Sequence, residues 1–254
     1  MNKMLKYIIA DILRTKVMIG YMVLLFVISF VVFASESNAS KGVLTMMSIV
    51  LFMVPLVSVL FSAIYLYNSA EFIELMLSQP INRSQVWIGM YTGLGLSLII
   101  AFCVGFGVPM LLFAANHGWV LFVSGIFLTA CFSGIGLLAS VKVRDKARGI
   151  GTVLMIWIFF AIIFDGMVLF LSFQFADYPL EKPMMIMSAL NPVDLARIFV
   201  LLDMNISALL GYTGAVFNAY LGSGLGRLIC ALVLLGWCIL PYWISLKWFK
   251  KKDL

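Results

Sequence analysis

Long apolar runs are the feature that most constrains how this chain can fold. A helix needs about 20 apolar residues to cross roughly 30 Å of hydrocarbon. Hydrophobic residues make up 64% of the sequence and charged residues only 11%, which excludes a water-soluble globular domain. The sequence therefore predicts an all-α membrane protein, residues 1–254 forming a single domain with six transmembrane helices. The six runs are Val17 to Phe33, Val43 to Tyr67, Val86 to Ala114, Trp119 to Val141, Ile150 to Phe175, and Leu228 to Leu246.

The positions of the basic residues predict the orientation, because the cytoplasmic loops of membrane proteins carry an excess of Lys and Arg. One side carries thirteen of the 17 basic residues, namely Lys3, Lys6, Arg14, Lys16, Arg83, Lys142, Arg144, Lys146, Arg148, Lys247, Lys250, Lys251 and Lys252. The other side carries four: Lys41, Lys182, Arg197 and Arg227. We therefore expect both termini to be cytoplasmic. The net charge of +6 follows from this topology and does not indicate a nucleic-acid partner.

Residues 1–16 have the pattern of an amphipathic helix. Apolar residues from Leu5 to Leu13 fall on one face, whereas Lys3, Lys6 and Arg14 fall on the other. Such a helix lies in the lipid headgroup region with its basic face towards anionic lipid. The alternative is a cytoplasmic extension of the first transmembrane helix. We expect the first apolar run to be retained, since no small-residue cleavage site follows it.

The outer segment from residue 174 to 226 carries helix signals although it lies between the fifth and sixth runs. Asn191 can cap a helix whose first residue is Pro192. Ser207 can cap a second stretch, 208–220, which we expect the glycines at 222, 224 and 226 to end. Both stretches are too short to span a bilayer, so we predict two short helices that lie at the outer leaflet before the last span.

Sequence motifs of enzymes are missing. No Gly-Lys pair occurs, so the chain lacks the phosphate-binding loop of nucleotide-binding proteins. The single histidine, His117, lies in a short outer loop and cannot build a Ser-His-Asp site. Neither H-E-x-x-H nor C-x-x-C spacing is present, and all four cysteines lie in apolar runs, where Cys behaves as a small hydrophobe. We expect a chain that is not an enzyme and has no cofactor of its own.

The cytoplasmic loop 68–85 combines charge with helical spacing. Glu71 and Glu74 are three residues apart and share one helical face, while Phe72, Leu75 and Met76 supply the apolar side. Pro80 stops the helix, and Asn82 or Ser84 can cap the next span. By itself this pattern is also typical of a solvated connector between two transmembrane helices.

This loop resembles the first cytoplasmic loop of ABC-2 type transporter permeases. The similarity covers the N-terminal helix, the six spans and the short outer helices, although Met90 stands where many members carry Lys. The motif is Glu71-x-x-Glu74-Leu-x-Leu-Ser78-Gln79-Pro80-x-x-Arg83, followed by Trp87 and Gly89.

The resemblance implies a permease of the bacterial inner membrane that dimerises with a second copy of itself. ATP and Mg²⁺ would be bound by a separate cytoplasmic ATPase subunit. Residues 71–79 would form the coupling helix that docks on that subunit. The residues implied in coupling are Glu71, Phe72, Glu74, Leu75, Ser78, Gln79, Pro80 and Arg83. The basic loop from Lys142 to Arg148 is either a second contact or an anchor that sets the orientation.

The outer segment is similar to that of the NosY-type subgroup, which supports maturation of the copper sites of nitrous oxide reductase. The shared pattern is Leu190-Asn191-Pro192-x-Asp194-x-x-Arg197, followed by Gly211-Tyr-Thr-Gly214. That resemblance implies a periplasmic β-helical partner contacting Asn191, Pro192, Asp194 and Arg197, and transport of a copper- or sulfur-containing species. Two alternatives remain open: an ABC-2 exporter of a lipid, drug or polysaccharide, and an ATPase-independent secondary transporter or membrane anchor.

Four further residues are candidates for metal binding or for lining the transport pathway. Met184, Met185 and Met187 are weak candidates for Cu(I) ligands, because thioethers suit Cu(I) but Met also fills gaps in apolar packing. Asp165 lies about 22 Å along its helix from Ile150, at about 1.5 Å per residue, which places it beyond the midplane. A carboxylate at that depth lines a pathway, pairs with Arg227 or Arg197, or lies at the interface on a tilted helix.

Overall fold

The computed structural model describes residues 2–36, 38–79, 82–114, 118–175, 181–204 and 211–251. Pro80, His117 and Ser207 lie outside these ranges. For Met184 and Met185 the structure describes the backbone but not the side chains. Expectations that rest on those groups therefore stay predictions. Within the described ranges the chain is helical and no strand occurs, which confirms the all-α fold class.

Twelve α-helices and two π-helical turns make up the described fold. The first half contains α1 Asn2–Leu13, α2 Lys16–Ser35, α3 Ala39–Asn68, α4 Ala70–Leu77, α5 Arg83–Phe102, the π-helical turn π1 Cys103–Gly107, and α6 Val108–Phe113. The second half contains α7 Trp119–Lys142, α8 Lys146–Ile158, the π-helical turn π2 Phe159–Ile163, α9 Phe164–Gln174, α10 Glu181–Ala189, α11 Pro192–Asp203, and α12 Gly211–Lys251.

Among the described residues, six helical stretches are long and apolar enough to cross a membrane, as the sequence predicted. Two of them contain a π-helical turn, namely Arg83–Phe113 with π1 and Lys146–Gln174 with π2. The others are α2, α3, α7 and the Gly224–Lys250 part of α12. The chain is therefore a multi-pass membrane protein.

Helix α7 forms the centre of the bundle, where it packs against α3, α5, α11 and α12. Its close contact with α3 depends on Gly136. A Cβ at that position would lie 2.6 Å from the carbonyl oxygen of Val59 and 3.0 Å from Cβ of Ser62. In lipid, small residues allow this close backbone approach, which gains dispersion contacts between helices. By contrast, α2, the α8–α9 span and α12 are mostly exposed and form the outside of the bundle.

Helix α1 is a separate element that lies against α5. It ends at Leu13, and α2 begins at Lys16 with the Thr15 hydroxyl accepting a hydrogen bond from the Met18 amide. Ile8 and Ile12 are buried, and Ile8 packs against Gly93 of α5. The predicted amphipathic helix is present with this buried face. The break between α1 and α2 excludes a continuous extension of the first span.

The glycines at 222, 224 and 226 do not end a helix, contrary to our prediction. Helix α12 runs without interruption from Gly211 to Lys251. Each interior glycine costs about 1 kcal/mol relative to alanine, which a long apolar helix tolerates. A membrane environment also strongly favours an uninterrupted hydrogen-bonded backbone. The second short helix of the outer segment is instead α10, upstream of Asn191.

Candidate functional site

Two ends of the bundle carry the predicted functional residues. The α4 end consists of α4, the α7–α8 loop and the last turns of α3 and α12. The α11 end consists of α10, α11 and π2. The α4 end carries the motif from Glu71 to Arg83.

One face of helix α4 packs against the bundle, and the other face is exposed. It begins two residues after the end of α3, and its Ile73 side chain is buried in the core, with Met76 packed beside it. Glu71, Glu74, Leu75 and Ser78 are exposed, and their spacing puts them on one face. Our prediction of the apolar face of α4 is therefore wrong in one respect. Leu75 is 66% exposed, and Ile73 is the residue that anchors the helix.

The end of α4 and the start of α5 are defined by local hydrogen bonds. The Ser78 hydroxyl donates to the carbonyl of Leu75 at 2.8 Å, and the Gln79 amide donates to the carbonyl of Met76 at 3.4 Å. Asn82 occupies the position before α5, but its side chain makes no capping hydrogen bond. Gln79 and Arg83 are both exposed next to this turn. The exposed face of α4 thus continues through its C-terminus.

The α7–α8 loop is tied to the end of α3, to which α4 is attached. The Tyr67 hydroxyl donates to the carbonyl of Val143 at 2.9 Å, and Lys146 Nζ donates to Asn68 Oδ1 at 2.8 Å. The Tyr67 ring packs so closely on Gly149 that no Cβ fits there. The last turn of α3, to which α4 is attached, is therefore joined by hydrogen bonds to the α7–α8 loop and to the start of α8.

Asn191 ties the α11 end to the fifth span. Its side chain is completely buried, and its Oδ1 accepts from the Val193 amide at 3.0 Å, so it caps α11 as predicted. Its Nδ2 donates to the carbonyl of Phe160 at 3.0 Å, inside π2. A π-helical turn widens the helix and commonly marks a functional position. One side chain thus joins the start of α11 to an irregular turn of a membrane-spanning helix.

Arg197 pairs with two carboxylates from different elements. Its guanidinium contacts Asp165 Oδ2 of α9 at 2.8 Å and Asp194 Oδ1 of α11 at 2.9 Å. Of the two pairs predicted for Asp165, the pair with Arg197 is confirmed. Arg227 instead pairs with Asp203. A carboxylate near the membrane is costly unless it is paired, which explains the contact. Whether Asp165 also lines a pathway stays a prediction.

The acid group of Asp194 is strongly perturbed. Burial and the neighbouring Asp165 carboxylate raise the pKa of Asp194 to about 7, while the Arg197 guanidinium opposes the rise. Two carboxylates share one guanidinium here, so full ionisation of both leaves excess negative charge in a poorly hydrated place. The charge of this cluster therefore changes near neutral pH.

Trp237 of α12 completes the α11 end, and sequence reasoning did not identify it. Its Nε1 donates to the carbonyl of Ala189 at 3.0 Å, and its ring meets the ring of Phe160 edge to face at 5.7 Å. A tryptophan in the middle of a long apolar run carries an N–H that needs a buried hydrogen-bond partner. This requirement is the sequence signal that could have identified Trp237. Trp237, Asn191 and π2 form one contact region.

The predicted partner-contact residues are largely used inside the chain. Asn191, Pro192 and Asp194 are buried in the described fold, whereas the Arg197 side chain is 37% exposed. Contact with a periplasmic protein stays a prediction. Met187 packs against Phe164 and Val168, and among the residues that the structure describes no group of three or more His, Cys, Asp or Glu side chains could hold a metal ion.

Comparison with known proteins agrees with this architecture. The family model described as "ABC-2 family transporter protein" matches residues 8–254. A protein of Stutzerimonas stutzeri named "Probable ABC transporter permease protein NosY" is 28% identical over 213 residues, which cover 78% of this chain and 73% of that protein. A protein of the same name from Pseudomonas aeruginosa is 26% identical over 175 residues, 64% of each chain. The chain therefore belongs to the ABC-2 transporter family, as a permease subunit similar to NosY.

Proposed function

We propose that this chain is the transmembrane half of an ATP-driven transporter in the bacterial inner membrane, with both termini and α4 on the cytoplasmic side. Two copies would form the transport unit together with two copies of a separate ATPase that binds ATP and Mg²⁺. The observation that carries this proposal is the placement of α4. Its Ile73 face is anchored, while Glu71, Glu74 and Leu75 remain available to a partner.

Docking of the ATPase on α4 would move the ends of the spans. Closure of the ATPase pair displaces α4, and Ser69 alone separates α4 from α3. The hydrogen bonds from Tyr67 to Val143 and from Lys146 to Asn68 carry the movement to α7 and α8. The chain itself forms and breaks no covalent bond in this scheme.

At the α11 end, we infer that the contacts around π2 hold the outer side of the pathway closed. Arg197 links α11 to α9 through Asp165, and Asn191 links it to π2. Opening of the outer side requires both links to lengthen. The similarity to NosY supports a role in maturation of the copper sites of nitrous oxide reductase, by transport of a copper- or sulfur-containing species and with a periplasmic β-helical partner.

Co-purification tests this proposal. The tagged chain is purified from its native membranes in mild detergent, and the proteins that accompany it are identified by mass spectrometry. We expect an ABC ATPase together with a periplasmic β-helical protein. An ATPase alone would contradict the copper-site assignment and favour an exporter of a lipid, drug or polysaccharide. If gentle crosslinking recovers no ATPase, the proposed role of α4 is wrong.

A charge-reversed variant locates the ATPase contact. Glu71→Arg combined with Glu74→Arg inverts the charge of the exposed α4 face and leaves the buried Ile73 unchanged. We expect loss of the ATPase from the purified complex, with normal membrane insertion. Lys41→Glu is the matched control, because Lys41 is exposed and lies at the start of α3, at the other end of that helix from α4. Equal ATPase recovery with both variants would contradict a contact at α4.

A further inference from the structure

A cleft of about 340 Å³ opens at the α4 end, between α4 and the α7–α8 loop. Trp87 and Phe249 stack at 4.5 Å between their ring centres and give the cleft an aromatic wall. The Trp87 side chain is fixed by its Nε1, which donates to Ser245 Oγ at 3.2 Å. The lining of the cleft is predominantly apolar, so its natural occupant has an apolar portion.

Two opposite charges line the same cleft. Glu74 comes from α4, and Arg144 comes from the α7–α8 loop. Among the residues that the structure describes, neither forms an ion pair with another side chain. An arginine binds phosphate oxygens in a two-pronged geometry, and a carboxylate accepts hydrogen bonds from an ammonium group. The cleft therefore suits a ligand that carries both an anionic and a cationic group.

The position of the cleft indicates where such a ligand comes from. The surrounding spans all begin or end here, at Asn68, Arg83 and Lys142. At the same end of the bundle, Lys142 Nζ lies 5.4 Å from the ring centre of Trp248, and Lys247 Nζ lies 4.6 Å from that of Trp243. Tryptophan and lysine concentrate where transmembrane helices meet the headgroup layer. The cleft is thus at the depth of phospholipid headgroups.

We propose that this cleft binds a phospholipid with a phosphoethanolamine headgroup. Arg144 holds the phosphate, Glu74 accepts hydrogen bonds from the ammonium group, and the glycerol and first acyl carbons lie against the accessible lining at Ala70, Tyr67 and Val143. A bound lipid then bridges α4 and the α7–α8 loop, and adds to the Tyr67 hydrogen bond that joins α3 to the same loop. Binding of the lipid does not depend on the ATPase.

Native mass spectrometry of the purified permease alone tests this proposal. The protein is delipidated and mixed with equal amounts of phosphatidylethanolamine and phosphatidylglycerol that have the same acyl chains. We expect preferential retention of phosphatidylethanolamine. Arg144→Gln removes the phosphate contact and should reduce the retention of both lipids by about tenfold. Glu74→Gln removes only the ammonium contact and should make the retention of the two lipids equal.

Matched variants keep the test specific. Glu71→Gln and Arg148→Gln change exposed charges of α4 and α8 that do not line the cleft, and both should retain lipid as the unmodified chain does. Size-exclusion profiles check that every variant is folded. Soluble phosphoethanolamine at the same concentration should not displace the lipid, because it lacks the apolar portion.

Four results would overturn the proposal. The first is equal retention of both lipids by the unmodified chain, and the second is a loss of retention with Glu71→Gln as large as that with Glu74→Gln. The third is displacement by soluble phosphoethanolamine, which would assign the cleft to a small soluble ligand. The fourth is complete loss of bound lipid when the ATPase is added, which would make the cleft part of the protein interface. None of the first three depends on whether α4 couples to an ATPase.

Discussion

At the scale of single residues, Asn191 performs two tasks with one amide group. Its oxygen caps α11, and its nitrogen donates to the carbonyl of Phe160 in π2. An ionised aspartate could only accept, and serine has a single oxygen, whereas the amide places an acceptor and a donor on two separate atoms. The requirement for both explains why this residue type stands before Pro192.

Substitution of Asn191 separates the two tasks. Asn191→Ala removes both hydrogen bonds and should lower the free energy of unfolding by about 2 kcal/mol, since a cap and a buried hydrogen bond each contribute about 1 kcal/mol. Asn191→Ser keeps the cap alone and should lose about half as much. Hydrogen exchange of the first amides of α11 measures the effect. Identical exchange in the two variants would argue against a separate bond to Phe160.

Asp194 predicts a pH dependence with a definite sign. Its pKa is raised to about 7 in the folded protein, above the value of about 4 for a free Asp. The folded state therefore binds this proton more tightly than the unfolded state does. The stability that protonated Asp194 contributes is lost as the pH rises from about 4 to about 7.

The measurement compares the unmodified chain with Asp194→Asn, which cannot titrate. The melting temperature of each is recorded in detergent from pH 4.5 to 8. The difference between the two curves should show the unmodified chain losing stability, relative to the variant, as the pH rises towards 7, and should level off above it. A constant difference, or a relative gain in stability with rising pH, would contradict the raised pKa.

At the scale of elements, the contact between α3 and α7 depends on a missing side chain. Gly136→Ala places a methyl group 2.6 Å from the carbonyl oxygen of Val59, so the helices must separate. Overpacking of this kind costs about 1–3 kcal/mol. The melting temperature in detergent should fall accordingly.

Gly20→Ala is the matched control for this substitution. Gly20 lies in α2 with nothing within 4 Å of the added methyl group. Its replacement should be neutral or should stabilise the helix by up to about 1 kcal/mol. Equal melting temperatures for the two alanine variants would show that α3 and α7 are not in the described contact.

Sequence patterns predicted most elements because apolar length is a strong signal. The six spans followed from apolar length, and the cap at Asn191 followed from the Asn-Pro pattern. The pair of Asp165 with Arg197 was one of the alternatives that the cost of unpaired charge in lipid offered. The prediction that the glycines at 222, 224 and 226 end a helix was wrong, because isolated glycine weakens a helix without ending it.

Other features left little trace in the sequence. The π-helical turns π1 and π2 have no residue signature that separates them from α-helix. The buried face of α4 was misjudged, since Ile73, Leu75 and Met76 are all apolar and only the neighbouring helices decide which of them is covered. Trp237 was missed because its partner, the Ala189 carbonyl, lies 48 residues away in the chain.

At the scale of the whole molecule, the transport scheme assigns a transmitting role to Tyr67. Tyr67→Phe removes its hydrogen bond to the carbonyl of Val143 and keeps the ring that packs on Gly149. We expect unchanged binding of the ATPase. Stimulation of ATP hydrolysis by the permease should fall by up to about fivefold, as expected for the loss of about 1 kcal/mol of coupling.

The ATPase activity of the reconstituted complex measures this effect, in the presence and absence of the permease. Tyr7→Phe is the control, because Tyr7 is 66% exposed on α1, outside the contact between Tyr67 and the α7–α8 loop. Full stimulation with Tyr67→Phe would show that the movement of α4 reaches the spans by another route.

The π-helical turn π2 shifts the register of the fifth span next to the Asp165–Arg197 pair. A π-helical turn accommodates one residue more than an α-helical turn, and one residue corresponds to a rotation of about 100° around the helix axis. Asp165 lies two residues beyond the end of π2. If the extra residue migrated past Asp165 towards Gln174, the Asp165 carboxylate would rotate away from Arg197. The span as a whole would stay helical and inserted. The π-helical turn thus lies where a change in the position of the extra residue would alter the Asp165–Arg197 pair.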